Sequence, residues 1–155
     1  MSVQIARRIF TVDEYHRMGE AGVFSEDDHV DLIEGEILKK SPIGGRHAAS
    51  FNRLTKEFNN LLGVRAIVSV QNPIMLNDVS EPEPDLAILR PRDDFYGAAH
   101  PTASDVLLVI EGGDTSAYDL KVKLPAYARS GIPQVWIADL TTETVEVHSE
   151  LLNDS

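Results

Sequence analysis

The chain has 155 residues, a formal net charge of −11 and no cysteine. The length bounds it to one domain. The missing cysteine excludes a disulfide framework, a thiolate metal site and a cysteine nucleophile, and no apolar run reaches the ~18 residues that span a bilayer. The acidity works against a broad phosphate-binding surface, because affinity for nucleic acid comes mainly from lysine and arginine, although acids gathered around a cation would also make the total negative. The N-terminal MSVQIARRIF has two arginines but no long apolar stretch and no small-residue cleavage site, so no secretory signal is expected. A cysteine-free chain fits a reducing compartment, and the expected location is cytoplasmic.

Phe10 to Gly22 opens with a capping box: Thr11 is the N-cap and Glu14 sits three residues on. Gly19 and Gly22 are expected to end that helix. HVDLIEGEILKK follows, two short strand-like runs around Glu34-Gly35 that predict a hairpin, and then a loop from Ser41 to Gly45. His47 to Leu62 predicts the first long helix, with Phe51, Leu54, Phe58, Leu61 and Leu62 along one face and Gly63 as its stop. The β-branched run Val64 to Val70 predicts a strand. Pro73 to Leu76 predicts a short edge strand, since proline removes a ladder donor. SEPEPDLAIL, Ser80 to Leu89, then carries an acidic, proline-stiffened segment into a strand beginning at Asp85. Asp93 to Ser104 has no apolar period and is expected to loop over the surface. DVLLVIE, Asp105 to Glu111, is the continuous apolar run of a strand buried on both faces. Tyr118 to Ser130 predicts the second long helix, ended by Gly131, with Pro125 expected to kink it or displace its start. Pro133 to Leu140 and VEVHSE give two last strands around a TTET turn.

From Gly45 onward the order is helix, strand, strand, strand, helix, strand, which predicts an α/β core with a mixed central sheet covered on both faces. The expected organisation is a single domain over residues 1–155, with 10–40 as an added helix and hairpin and 45–149 as the core.

Asp85 opens one inner strand and Glu111 closes the next long one. If those strands are neighbours, both carboxylates can point into one cleft at the strand ends. Two buried carboxylates repel, and each costs several kcal/mol unpaired. A divalent cation relieves both costs, and magnesium suits the place because it binds through one or two carboxylates and keeps several waters. Lys121 and Lys123 stand at the start of the second long helix. A lysine beside such a cation can orient a water, help it lose a proton, or offset charge in a phosphoryl transition state. Two acids, a lysine and Mg²⁺ are the minimal equipment for hydrolysing a phosphodiester.

SEPEPDLAILR, HPTASDVLLVIE, YDLKVKLPAYARSGIPQVWIADL and VDLIEGEILKKSP together resemble the Uma2 (DUF820) family of endonucleases, placed in the PD-(D/E)XK, restriction-endonuclease-like superfamily. KLPAYARSGIPQVWI is the most specific part, PEPDLAIL the next. The resemblance covers roughly Phe10 to Val147. It implies a restriction-endonuclease-like core and Mg²⁺-dependent cleavage of DNA, with Mn²⁺ as a possible substitute. Matched motif by motif, Pro84-Asp85 is the PD, Glu111 the acid of (D/E)XK and Lys123 the lysine, so the implied metal ligands are Asp85 and Glu111. The superfamily places its lysine two residues after the acid, where this chain has Gly113. Gly112-Gly113 also replaces a more usual valine and small polar residue, and two glycines there are expected to loosen the backbone. The chain ends about where Uma2 members continue with further strands, which fits a short form or a fragment.

Other residues carry weaker signals. Glu36, with Glu34 and Asp31 near it, could supply a third acid, against the plain reading of a charged hairpin. His47 could reach a phosphate or a water, or be incidental. Asp114 could touch a metal-bound water, or with Asp119 cap a turn. Glu81 and Glu83 read as solvated, and Tyr127 and Trp136 as core rather than base-stacking platforms. No GxSxG, P-loop or HExxH motif is present. Two other functions fit the same residues: a catalytically silent nucleic-acid-binding or assembly module on this fold, and a homodimer or larger oligomer joined through open strand edges.

Overall fold

The computed structural model describes residues 4–40, 45–113, 118–140 and 142–149. The first helix, α1 (Val12–Glu20), starts on the capping box read from the sequence: Thr11 Oγ1 accepts from Glu14 N and the Glu14 carboxylate accepts from Thr11 N. β1 (Val30–Ile33) and β2 (Glu36–Lys39) form an antiparallel hairpin of their own. Its two-residue turn places Glu34 at φ 51° and Gly35 at φ 80°, the left-handed pair that a tight hairpin requires.

α2 (Gly45–Leu62) leads through a short 3₁₀ turn into β3 (Ile67–Val70). The remaining elements are β4 (Leu86–Leu89), β5 (Val106–Gly113), α3 (Tyr118–Arg129), β6 (Gln134–Asp139) and β7 (Thr144–Ser149). β3 to β7 make one five-stranded sheet in sequence order, antiparallel except for the parallel β5–β6 pair that α3 connects. The expected α/β fold with a mixed sheet between helices is therefore present. Among the described residues, no helix is long and apolar enough to cross a membrane.

Both faces of the sheet are covered at its inner strands β4 and β5, residue by residue. Leu86 and Ile88 of β4, with Leu108 and Ile110 of β5, pack against Phe51, Leu54 and Phe58 of α2. Ala87, Leu89 and Val109 point the other way, into a cluster with Ala126 and Tyr127 of α3 and Ile33 of the hairpin. Each of the larger side chains, Leu, Ile, Val and Phe, contributes about 1.5–3 kcal/mol on full burial, which is why runs this short hold their register.

Three expectations change in detail. Val64 and Arg65 lie in the 3₁₀ turn instead of the strand, and Leu61 and Val64 are exposed, so the α2 stripe ends at Leu62. Pro73 to Leu76 forms no strand. Ile74 N donates to Pro82 O, Met75 N to Pro101 O and Leu76 N to Ser80 O, so its ladder partners are loop residues. α3 starts at Tyr118 as read and runs through Pro125, which does not displace its start.

Candidate active site at the β4–β5 strand ends

The acidic segment Ser80 to Asp85 is stiff because it is pinned along its length. Leu32 of β1 accepts from Glu81 N at 2.8 Å, the Ser80 hydroxyl accepts from Glu34 N at 2.8 Å, and an Asp31 oxygen accepts from Glu83 N at 2.9 Å. Each acid in the run has a cationic or imidazole neighbour. Glu81 lies against His16 at 2.5 Å, Glu83 against Lys40 at 3.6 Å and Asp85 against His47 at 3.2 Å. Glu81 is buried, so the solvated reading fails there; Glu83 is half-buried, and burial raises its pKa despite Lys40.

β4 and β5 are antiparallel neighbours with Leu86 opposite Ile110. That register brings the start of β4 beside the end of β5. Asp85 N donates to Glu111 Oε1 at 2.9 Å, and Gly112 N donates to Asp85 Oδ2 at 2.8 Å. Glu111 continues the Val109 side of β5, so it faces α3, where Lys123 Nζ donates to Glu111 Oε2 at 2.8 Å and Tyr127 OH donates to the same oxygen at 3.3 Å. Asp85, Glu111 and Lys123 thus form a continuous polar cluster, with Glu111 in the middle.

Lys123 has a second carboxylate neighbour, Asp31 Oδ2, at 2.9 Å. Among the three hairpin acids it is Asp31 that turns inward. Glu36 sits on the surface, 2.9 Å from Arg7, and Glu34 accepts from Arg129 at 2.8 Å. Nothing brings Glu36 to the cluster. Lys121 is exposed, and Asp114 and the loop residues 41–44 lie outside the described residues.

The electrostatics follow from burial. Asp31 and Glu111 are each 2% exposed and Lys123 is 5% exposed. Burial pushes Glu111 above the usual glutamate range, helped by Asp85 and opposed by Lys123. Burial alone would lower Lys123, but the charges of Glu111 and Asp31 and their hydrogen bonds reverse this and hold its pKa well above lysine's ordinary value. The ammonium therefore keeps its proton. Burial and the same carboxylates push Tyr127 well up, so its phenol stays neutral and donates. Tyr127 was legible as core; its hydroxyl contact was not.

His47 lies in the first turn of α2 and stacks on Phe51 at 4.8 Å between ring centroids. With Nε2 donating to Asp85, its buried Nδ1 has no hydrogen-bond partner among the described residues. The double glycine fits this packing. A Cβ on Gly112 would lie 2.3 Å from Phe51 Cε2 and 3.2 Å from His47 Nε2. Gly113 has φ 144°, a conformation that favours glycine. Gly112 lets α2 close over the strand end, and Gly113, two residues after Glu111, has a backbone conformation that disfavours a side chain.

The donor set fits a hard divalent cation. Two carboxylates, those of Asp31 and Glu111, hold one buried ammonium, the Asp85 backbone N donates to Glu111, and carboxylate oxygen is what Mg²⁺ takes, one or two at a time, alongside water. Asp85 and Glu111 are the pair that could hold it, since Asp31 is turned to Lys123. Among the described residues, no group of three or more His, Cys, Asp or Glu side chains is arranged to hold a metal by itself, so most positions would be left to water and substrate.

The Uma2 family model, described as "Putative restriction endonuclease", matches residues 12–154. A crystal structure described as "a putative nuclease belonging to DUF820 from Anabaena variabilis ATCC 29413" superposes with a TM-score of 0.69 at 18% identity, covering 90% of this chain and 79% of that one. At that identity the likeness is one of fold. No curated protein matches the chain.

Proposed function

Because the chain belongs to the Uma2 family, we propose that it is a metal-dependent endonuclease that hydrolyses DNA phosphodiester bonds at the Asp85–Glu111–Lys123 cluster. The observation that carries this reading is the linked set of contacts: Asp85 N to Glu111 at 2.9 Å and Lys123 Nζ to Glu111 at 2.8 Å, at one end of the sheet.

Asp85 and Glu111 would hold Mg²⁺ or Mn²⁺. That ion supplies Lewis acidity toward a phosphoryl oxygen and makes a water more acidic. Asp85 and His47 are the members that reach solvent, with side chains 14% and 17% exposed, so the scissile phosphate approaches from their side. His47 and Gly112 N–H together fix the Asp85 carboxylate. The charges of Glu111 and Asp31 favour a protonated Lys123, which suits it to orienting a water more than to taking its proton. It orients a water and offsets charge on the phosphate, an interaction strengthened by the low dielectric around it. Beside His47, a cavity of about 410 Å³ is lined by Arg46, Ala49, Ser50, Arg53, Leu140 and Glu143. Its two arginines are suited to flanking phosphates on an otherwise acidic protein.

Plasmid nicking in Mg²⁺, with Asp85→Ala and Lys123→Ala alongside, tests the reading. Cleavage should need the metal and fall sharply in both variants; equal cleavage by all three proteins refutes the site. The net charge of −11 favours a silent binding or assembly module instead, and calorimetry without Mg²⁺ or Mn²⁺ binding would support that.

A further inference from the structure

Asp31 lies in a strand, where aspartate is disfavoured, and it is buried. A carboxylate in that place is destabilising unless charge and hydrogen bonds compensate. Its two oxygens do different things. Oδ1 accepts from Glu83 N at 2.9 Å, with Lys40 Nζ at 3.9 Å, and Oδ2 meets Lys123 Nζ at 2.9 Å. Lysine is a point charge on a flexible four-carbon stem. One acceptor leaves such an ammonium free to swing about it. Lys123 has two, on unrelated elements: Glu111 on β5 and Asp31 on β1. The Oδ1 bond goes to Glu83, two residues before Asp85, so one side chain ties the ammonium to the segment that carries the other acid.

We infer that Asp31 is a positioning residue: it fixes the Lys123 ammonium against Glu111 and sets its distance from the Asp85 segment, and it is not a metal ligand. The hairpin ahead of the core is on this account part of the catalytic apparatus. The kinetic consequence rests on the nuclease reading above.

The test is Asp31→Asn, which keeps shape and an acceptor for Glu83 N but loses the charge facing Lys123. Supporting-residue changes of this kind cost about 10–100-fold, and that loss is expected in kcat for DNA nicking. KM for DNA and Mg²⁺ affinity by calorimetry should stay as in the wild type. In a Lys123→Ala background the same substitution should cost no further rate, since residues acting as a unit are not additive. Loss of Mg²⁺ binding in Asp31→Asn would make Asp31 a ligand and overturn the inference, as would an unchanged kcat. Asp31→Glu guards against a folding defect: it keeps the charge and moves the acceptor, so kcat should fall again, and wild-type kcat would overturn positioning. An independent readout is the ¹⁵N–¹H signal of the Lys123 ammonium at fixed pH, which should shift and exchange faster in Asp31→Asn. If the wild type fails to cut DNA, the nuclease reading falls, and this signal still decides the positioning: movement supports it and an unmoved signal refutes it.

Discussion

Replacing Lys123 by methionine removes the ammonium from two carboxylates that are each 2% exposed and leaves a side chain of similar length. Breaking a buried ion pair from one side costs about 3–5 kcal/mol, because the remaining charge is desolvated and unpaired. For a chain of this size, 1 kcal/mol moves Tm by roughly 2–4 °C, so the metal-free variant should melt about 6–20 °C below the wild type. The sign with pH is fixed by Glu111, whose folded pKa is already raised by burial. A carboxylate of that kind is costly to keep ionised above its folded pKa, and the cost disappears below the unfolded value of about 4.3. The deficit should therefore be largest at pH 8 and shrink toward pH 4. Mg²⁺ acts the same way by another route: ligand at about 100 times Kd stabilises by about 2.7 kcal/mol. The variant should gain more Tm from Mg²⁺ than the wild type does, because the ammonium no longer competes for Glu111. Adding Asp31→Asn should recover part of the loss, since removing both partners strands less charge. Thermal melts in EDTA and in Mg²⁺, at both pH values, measure all of this. A Tm loss below about 2 °C, or one that is independent of pH, would refute the reading that Lys123 offsets the cost of burying Glu111.

Gly112→Ala should cost about 1–3 kcal/mol in denaturant unfolding, the range for overpacking, because its Cβ meets the Phe51 ring at 2.3 Å; a neutral result would mean that α2 can lift from the strand end freely. Glu36→Ala should leave nicking activity intact and stability within about 0.5 kcal/mol, as for a surface site, since its partner is Arg7 at the surface; a large loss of activity would restore Glu36 as a third acid. Glu83→Gln should raise Tm at pH 7 but not at pH 4, because burial raises the Glu83 pKa and the cost of its charge vanishes once it is protonated; an equal gain at both pH values would rule that out.

What could be read from the sequence was what neighbours in the chain decide. DVLLVIE declared a strand buried on both faces, so a glutamate at its end had to be accounted for, and PEPDLAIL placed an aspartate at the start of the strand beside it. Thr11 and Glu14 marked the α1 start because a capping box spans only four residues. The choice among Asp31, Glu34 and Glu36 was not legible. It depends on how the hairpin docks on α3, far along the chain, and a charged hairpin looks the same from either face. The packing role of Gly112 was hidden for the same reason: its need for a missing Cβ comes from Phe51, which no local pattern connects to it. Leu61, read as part of the α2 face, and Val64, read as the start of a strand, are both exposed: single apolar residues on a surface are ordinary, and local pattern does not mark them.

The hairpin turn has a second tie to α3, from Arg129 to Glu34 at 2.8 Å, and Ile33 seals the cluster around Tyr127. An engineer paring this protein down to its smallest working unit would be tempted to start at α2, where the sheet-building chain begins. That trim would take Asp31 from the lysine and Ile33 from the packing around Tyr127, letting water in where the fold now keeps it out. The minimal unit of this scaffold is set by its first forty residues as much as by its sheet.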